Sequence, residues 1–249
     1  MATVLSGTSG ALYYKPAGTS VTTLAASAFP ASASNITVGS YLGFQVNDPV
    51  TLAYPAAATT TNAIAAGAYF VKTYAPTTGI MTLSSTAGGS ALTATALPTG
   101  FGAAFASITY TDFVAVGNVR EWSLEITRDE LDVTTIGQTI GQYAPFKTYI
   151  TGFADGTGSC SVYTSDDDTD IASRLVTDVI QRQQTGAAFK LYIDRVLSSG
   201  TVSDTSSRSI SLNAVITSAN FTVNPDDAQM VEIAFRPAQA PTFDFSESA

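Results

Sequence analysis

A chain of 249 residues is long enough to bury one large core or two ordinary ones without disulfides or metal. Apolar residues make up 45% of it and charged residues 12%, interspersed with Thr, Ser, Gly and Ala, a balance that excludes a disordered chain, and no uninterrupted apolar run reaches the length of a membrane span. Without a histidine and with Cys160 as its single cysteine, the chain can build no Ser-His or Cys-His pair and no intramolecular disulfide, and a net charge of -9 works against tight binding to a phosphate backbone.

Up to Asp112 the ionised side chains are Lys15, Asp48, Lys72 and Asp112, which cancel, so the whole net charge lies beyond Phe113. That shift marks a domain boundary near Asp112. The region before it predicts short strands at 41–46, 50–54, 68–74, 80–84 and 107–110, rich in β-branched and aromatic residues, with turns at 47–49, 76–79 and 87–89. Residues 55–66, an Ala/Thr stretch with little apolar bulk, read as a loop.

Beyond Val119 the strands lengthen and alternate, with Trp122, Leu124 and Ile126 on one face against Glu121, Ser123 and Glu125 on the other. An acidic loop carrying Asp129, Glu130 and Asp132 follows. Asp155-Gly156 signals a hairpin turn, after which Cys160 shares a strand face with Val162 as a small core residue. A helix is predicted over 170–184, where Ile171, Leu175, Val176, Val179 and Ile180 recur at helical spacing and Gly186 follows the end. Burying those five side chains gains roughly 7 to 15 kcal/mol gross, so the helix must pack on a sheet, with Arg174, Asp178 and Gln181 left on its free polar face. Ile210, Leu212, Ala214 and Ile216, then Val231, Ile233 and Phe235, repeat the strand alternation, and an antiparallel sheet with one buried face follows.

No constellation carries catalysis. Asp166, Asp168 and Asp170 imitate the start of an EF-hand loop, but Ile171 stands where its glycine is needed and Thr177 where its bidentate glutamate is needed. Glu121 and Glu125 share a strand face about 13 Å apart, beyond the roughly 5 to 9.5 Å of a working glycosidase pair. The glycine-rich stretch 152–158 leads into a strand where a phosphate loop needs a helix amino terminus. Asn35 and Asn220 match the glycosylation pattern, which has no weight without a secretory leader, and residues 1–15 have neither its basic nor its apolar region. No catalytic residue, cofactor or metal ligand is expected.

The segment 119–135, VREWSLEITRDELDVTT, with FKTYITGF at 146–153 and DGTGS at 155–159, resembles the major tail tube proteins of tailed phages, as do LSG at 5–7 and ALYYKPAG at 11–18. The helix and a late hairpin around Asn224, Pro225, Asp226 and Asp227 complete the resemblance. It implies a mainly β fold, a tail-tube-like β-sandwich or barrel with one packed α-helix formed by residues 1–20 and 113–249, interrupted by a small outward-facing β-domain over 21–112. It also implies homo-hexameric rings stacked into a hollow tube. The partners would be the chain itself, the tape measure protein and double-stranded DNA in the bore without sequence specificity, and the tail terminator, baseplate or tip and sheath proteins, with no membrane.

The location so implied is the virion, after synthesis in the host cytoplasm. A polar, acidic bore suits the net charge of -9. Polar positions on alternating strands make Glu125, Thr148, Ser211, Asn213 and Glu232 the bore-lining candidates, and a shift of one residue would reverse each. Asp129, Glu130 and Asp132 are candidates for an inter-ring or inter-subunit loop. Two other classes stay open: a virion decoration or receptor-adhesion protein binding through Tyr69, Phe70 and Tyr74, and a carbohydrate-active enzyme.

Overall fold

The computed structural model describes residues 9–29, 34–96, 98–117, 119–134, 147–163, 171–222 and 229–245. In chain order the strands are β1 (Ala11–Lys15), β2 (Ser20–Leu24), β3 (Asn35–Thr37), β4 (Pro49–Ala53), β5 (Gly67–Ala75), β6 (Ile80–Ser84), β7 (Ala106–Tyr110) and β8 (Val114–Ala115). The longer β9 (Val119–Asp132) and β10 (Tyr149–Tyr163) precede a helix, α1 (Ile171–Asp178). After it come β11 (Ala188–Asp194), a small hairpin of β12 (Leu197–Ser198) and β13 (Thr201–Val202), then β14 (Arg208–Thr222), β15 (Met230–Pro237) and β16 (Thr242–Asp244). The fold is mainly β, with its one α-helix among the described residues packed on a sheet.

Two principal sheets form, and every strand pair in them is antiparallel. The large sheet has the order β8-β1-β11-β14-β15-β10-β9, with β16 lying along β14, and the small sheet has the order β2-β7-β4-β5-β6-β3. The chain leaves the large sheet after β1, builds the small sheet and returns at β8, which pairs with β1 through Tyr13↔Ala115. Its two crossings run side by side: the Tyr110 amide donates to the Thr19 carbonyl at 3.0 Å.

Each sheet has its own core because its strands present alternate residues to one side. Under the large sheet lie Leu12, Tyr14, Cys160, Val162, Phe189, Leu191, Ile210, Leu212, Ile216, Val231, Ile233 and Phe235, with Leu175 of α1 fully buried against them. Phe189 stacks on Phe235 with ring centres 4.3 Å apart. Gly158 faces Phe235, and a Cβ there would overlap the ring, which is why the strand needs glycine at that point. The small sheet buries Val50, Leu52, Val71, Met81, Leu83 and Ile108 with Phe29, Phe44 and Phe101.

The structure corrects several sequence expectations. The helix ends at Asp178, short of 184, because i→i+3 bonds from the Val179, Ile180 and Gln181 amides tighten its last turn and Gln184 Nε2 takes the Asp178 carbonyl. Ile180 is therefore 86% exposed, off the apolar stripe. Residues 41–46 form no strand: Tyr41 and Asn47 have positive φ, the Leu42 amide donates to the Tyr74 hydroxyl and the Gln45 amide to Asp48 Oδ2, so side chains replace a ladder partner.

Asp155-Gly156 makes no turn, since β10 runs through it paired with Thr127 and Ile126 of β9. Ile64, inside the expected loop 55–66, is buried in the small core. Strand β3 is too short for alternation to reveal, and β2 does not alternate, since Leu24 is its one buried residue. Asp166, Asp168, Asp170 and the 224–227 hairpin lie outside the described residues.

Candidate assembly surface

β9 ends the large sheet. It pairs with β10 from Val119↔Val162 to Asp132↔Tyr149 and with no other strand among the described residues, leaving a 14-residue edge. Trp122 and Leu124 still rest on the core, but beyond them the β9–β10 hairpin leaves it. There Ile126, Leu131, Val133, Tyr149 and Ile150 are each 40–54% exposed and Phe153 is 88% exposed. Thr151 pairs with Glu130 and Ala154 with Arg128, so Gly152 and Phe153 together oppose Asp129, a bulge that turns the phenyl ring outward. A long open edge beside exposed apolar side chains is the kind of surface another chain covers.

Asp129, Glu130 and Asp132 belong to β9 itself and not to a loop, because strand pairing continues through Asp132. All three are exposed. Asp132 accepts from the Thr134 amide and faces Lys147 at 3.3 Å, and the bonds from Thr134 hold its carboxyl below the usual carboxylate range.

Four of the five bore-lining candidates alternate with core residues and share the opposite face of the large sheet. Glu125 follows Leu124 and opposes Thr157; Glu232 lies between Val231 and Ile233 and opposes Ser161 and Asn220. Ser211 and Asn213 flank Leu212 and oppose Lys190 and Ala188. Thr148 is not among them: it precedes β10 on the far hairpin, its amide donating to Thr134 Oγ1 and its carbonyl accepting from the Val133 amide.

The shared face carries both signs of charge. Lys190 pairs with Asp204 at 2.7 Å, and Arg236 approaches Asp155 at 3.5 Å. A groove of about 730 Å³ opens where Lys15, Phe113, Gln184, Asn213, Val215 and Gln239 meet, and burial lowers the Lys15 ammonium from its ordinary value.

Among the described residues no group of three or more Cys, Asp or Glu side chains could hold a metal ion, and no helix is long and apolar enough to cross a membrane. Cys160 is buried, and burial pushes its thiol up to about 12, so it has little thiolate with which to attack.

The aromatic trio Tyr69, Phe70 and Tyr74 does not gather into a binding cluster. Tyr69 and Tyr74 pack against the small core and donate to the carbonyls of Ala65 and Gly39, while Phe70, one residue from Tyr69 on the same strand, points to the other side. Sequence reasoning missed the exposed hairpin residues because strand alternation predicts burial for Ile126 and Ile150 wherever the core continues, and it does not continue there.

No family model matches the chain, and no curated protein matches it. Solved structures that resemble part of it include two from gene transfer agent particles. A chain from the virion of a native gene transfer agent particle is 17% identical, covers 53% of this chain and 88% of that one, and has a TM-score of 0.38. A chain from the tail of an empty gene transfer agent particle, refined helically with C6 symmetry, is 16% identical, covers 53% of this chain and 86% of that one, and has a TM-score of 0.37. Likenesses at these TM-scores decide nothing about function, which rests on the surfaces described above.

Proposed function

We propose that the chain is a structural virion protein without enzymatic activity, whose homo-hexameric rings stack into the tube of a phage tail. The observation that carries this reading is the open 14-residue edge of β9 with its exposed apolar hairpin. An edge of that length left bare invites uncontrolled pairing, and a ring in which each copy covers the next removes it. In the tube, residues 1–20 and 113–249 make the wall, and the small-sheet unit over 21–112 projects outward. Glu125, Ser211, Asn213 and Glu232 turn toward the bore, past which the tape measure protein and DNA slide without sequence-specific contact. Terminator, baseplate or tip and sheath proteins cap and surround the assembly in the virion.

Negative-stain microscopy of the purified protein tests the reading. Rings of six with a central hole, stacking into tubes, are expected. A protein that stays monomeric at high concentration and in its native particle would overturn it.

A further inference from the structure

The two sheets are joined by two chain crossings, from β1 to β2 and from β7 to β8, and these run side by side through the bond from the Tyr110 amide to the Thr19 carbonyl. Two parallel crossings leave rotation about the line through them, so the covalent chain does not by itself fix how the small sheet is oriented on the large one. A third contact supplies what is missing. Arg174 of α1 reaches into a socket made wholly by the small-sheet unit: Nη1 donates to Asp48 Oδ1 at 2.5 Å, Nη2 donates to the Gly43 carbonyl at 2.7 Å, and the guanidinium lies over the Tyr110 ring at 5.8 Å.

The pair is enclosed, with the two side chains 11% and 8% exposed, so bulk water competes with it little. The guanidinium fork fits a carboxylate and a carbonyl together, which a lysine would not. Around the socket the backbones touch. The Gly43 amide donates to the Gly18 carbonyl at 3.0 Å, and a Cβ on Gly43 would overlap the Ala17 carbonyl oxygen. Gln181 Nε2 donates to the Tyr41 carbonyl at 3.1 Å, and the Arg182 guanidinium lies 5.4 Å from the centre of the Tyr41 ring. Of the polar residues expected on a free helix face, Arg174 and Gln181 thus meet the segment from Tyr41 to Asp48, and Asp178 meets Tyr14 and Ala17.

We propose that Arg174 is a latch that holds the small-sheet unit in one orientation on the large sheet, and that opening it lets the unit swing about its two crossings while both cores stay folded. The latch lies within one chain and is readable before any assembly, so its failure would leave the tube reading untouched.

Hydrogen exchange on the full-length, unassembled chain tests it. Arg174→Ala leaves Asp48 buried without its cation and can unfold the unit for that reason alone. The deciding variant therefore combines Arg174→Met with Asp48→Asn, which removes both charges of the pair together and leaves Asp178 its bonds from the Tyr14 hydroxyl and the Ala17 amide. In that double variant the Gly43 amide is expected to exchange about tenfold faster or more, while the amides of Val71, Ile108, Phe189 and Leu191 keep their protection. A Gly43 amide protected as in the wild type would overturn the latch. So would equal loss of protection at Val71 and Ile108, which would mean that Arg174 holds the fold and not the orientation.

Discussion

Asp178 sits where a charge is costly. It is 4% exposed, and its Oδ2 accepts from the Tyr14 hydroxyl at 2.7 Å and the Ala17 amide at 3.0 Å. Burial raises its carboxyl above the ordinary value, and Asp48 is raised for the same reason. A folded carboxyl raised above its unfolded value of about 3.9 contributes stability that is fully present below that value and lost as pH rises through the folded one.

Asp178→Asn keeps an acceptor for both donors and removes the titration. The variant should therefore gain on the wild type as pH rises from the unfolded value of about 3.9 through the raised folded one, read from urea midpoints at each pH. A gap between the two proteins that does not change with pH would sink this account.

Among the elements, alternation was readable wherever a core continued beneath the strand. Residues 80–84 were predicted with the bounds that β6 has, and the faces of 210–216 and 231–235 follow period two as expected. Alternation also put Glu125, Ser211, Asn213 and Glu232 on one face, because each has a core residue on either side in sequence or next to it.

What the sequence hid were partnerships across great distance. Arg174 and Asp48 lie 126 positions apart, so a charged helix face looked solvated when it was docked. Tyr74 caps the backbone at Leu42, so a run of strand-forming residues was held as a loop. The hairpin of β9 and β10 leads to a test of its own. Replacing Leu131, Ile150 and Phe153 together by Ser should leave the fold within about 0.5 kcal/mol each, because none has core contacts to lose. The same change should abolish tube growth in the microscope. Normal tubes from the triple variant would remove the hairpin from the assembly surface.

For the molecule as a whole, the nearness of Thr19 and Tyr110 means that a short Gly/Ser linker can replace residues 21–112 without straining β1 or β8. The latch adds a condition. Such a deletion strips Arg174 and Gln181 of their partners, so it should be made with Arg174→Ser to avoid an orphaned cation. With that change, tubes of the same bore and smaller outer diameter are expected. Loss of ring formation would mean that the small sheet is part of the wall.

The side-by-side crossings also set a timetable. All six strands of the small sheet lie between Ser20 and Tyr110, but β1 has as its main partner β11, where Leu12 faces Leu191. At about 5–20 residues per second the ribosome needs roughly 4 to 16 s to travel from Tyr110 to Leu191. That is long compared with the milliseconds to seconds in which small β domains fold. During this interval the small sheet is finished and the first strand of the large one hangs from it, with its apolar face of Leu12 and Tyr14 uncovered. A nascent chain halted with residue 150 just emerged should resist protease across 21–110 and be cut readily at Lys15. Equal protection of Lys15 at that length would mean that the first strand finds a provisional partner before its lasting one has been made.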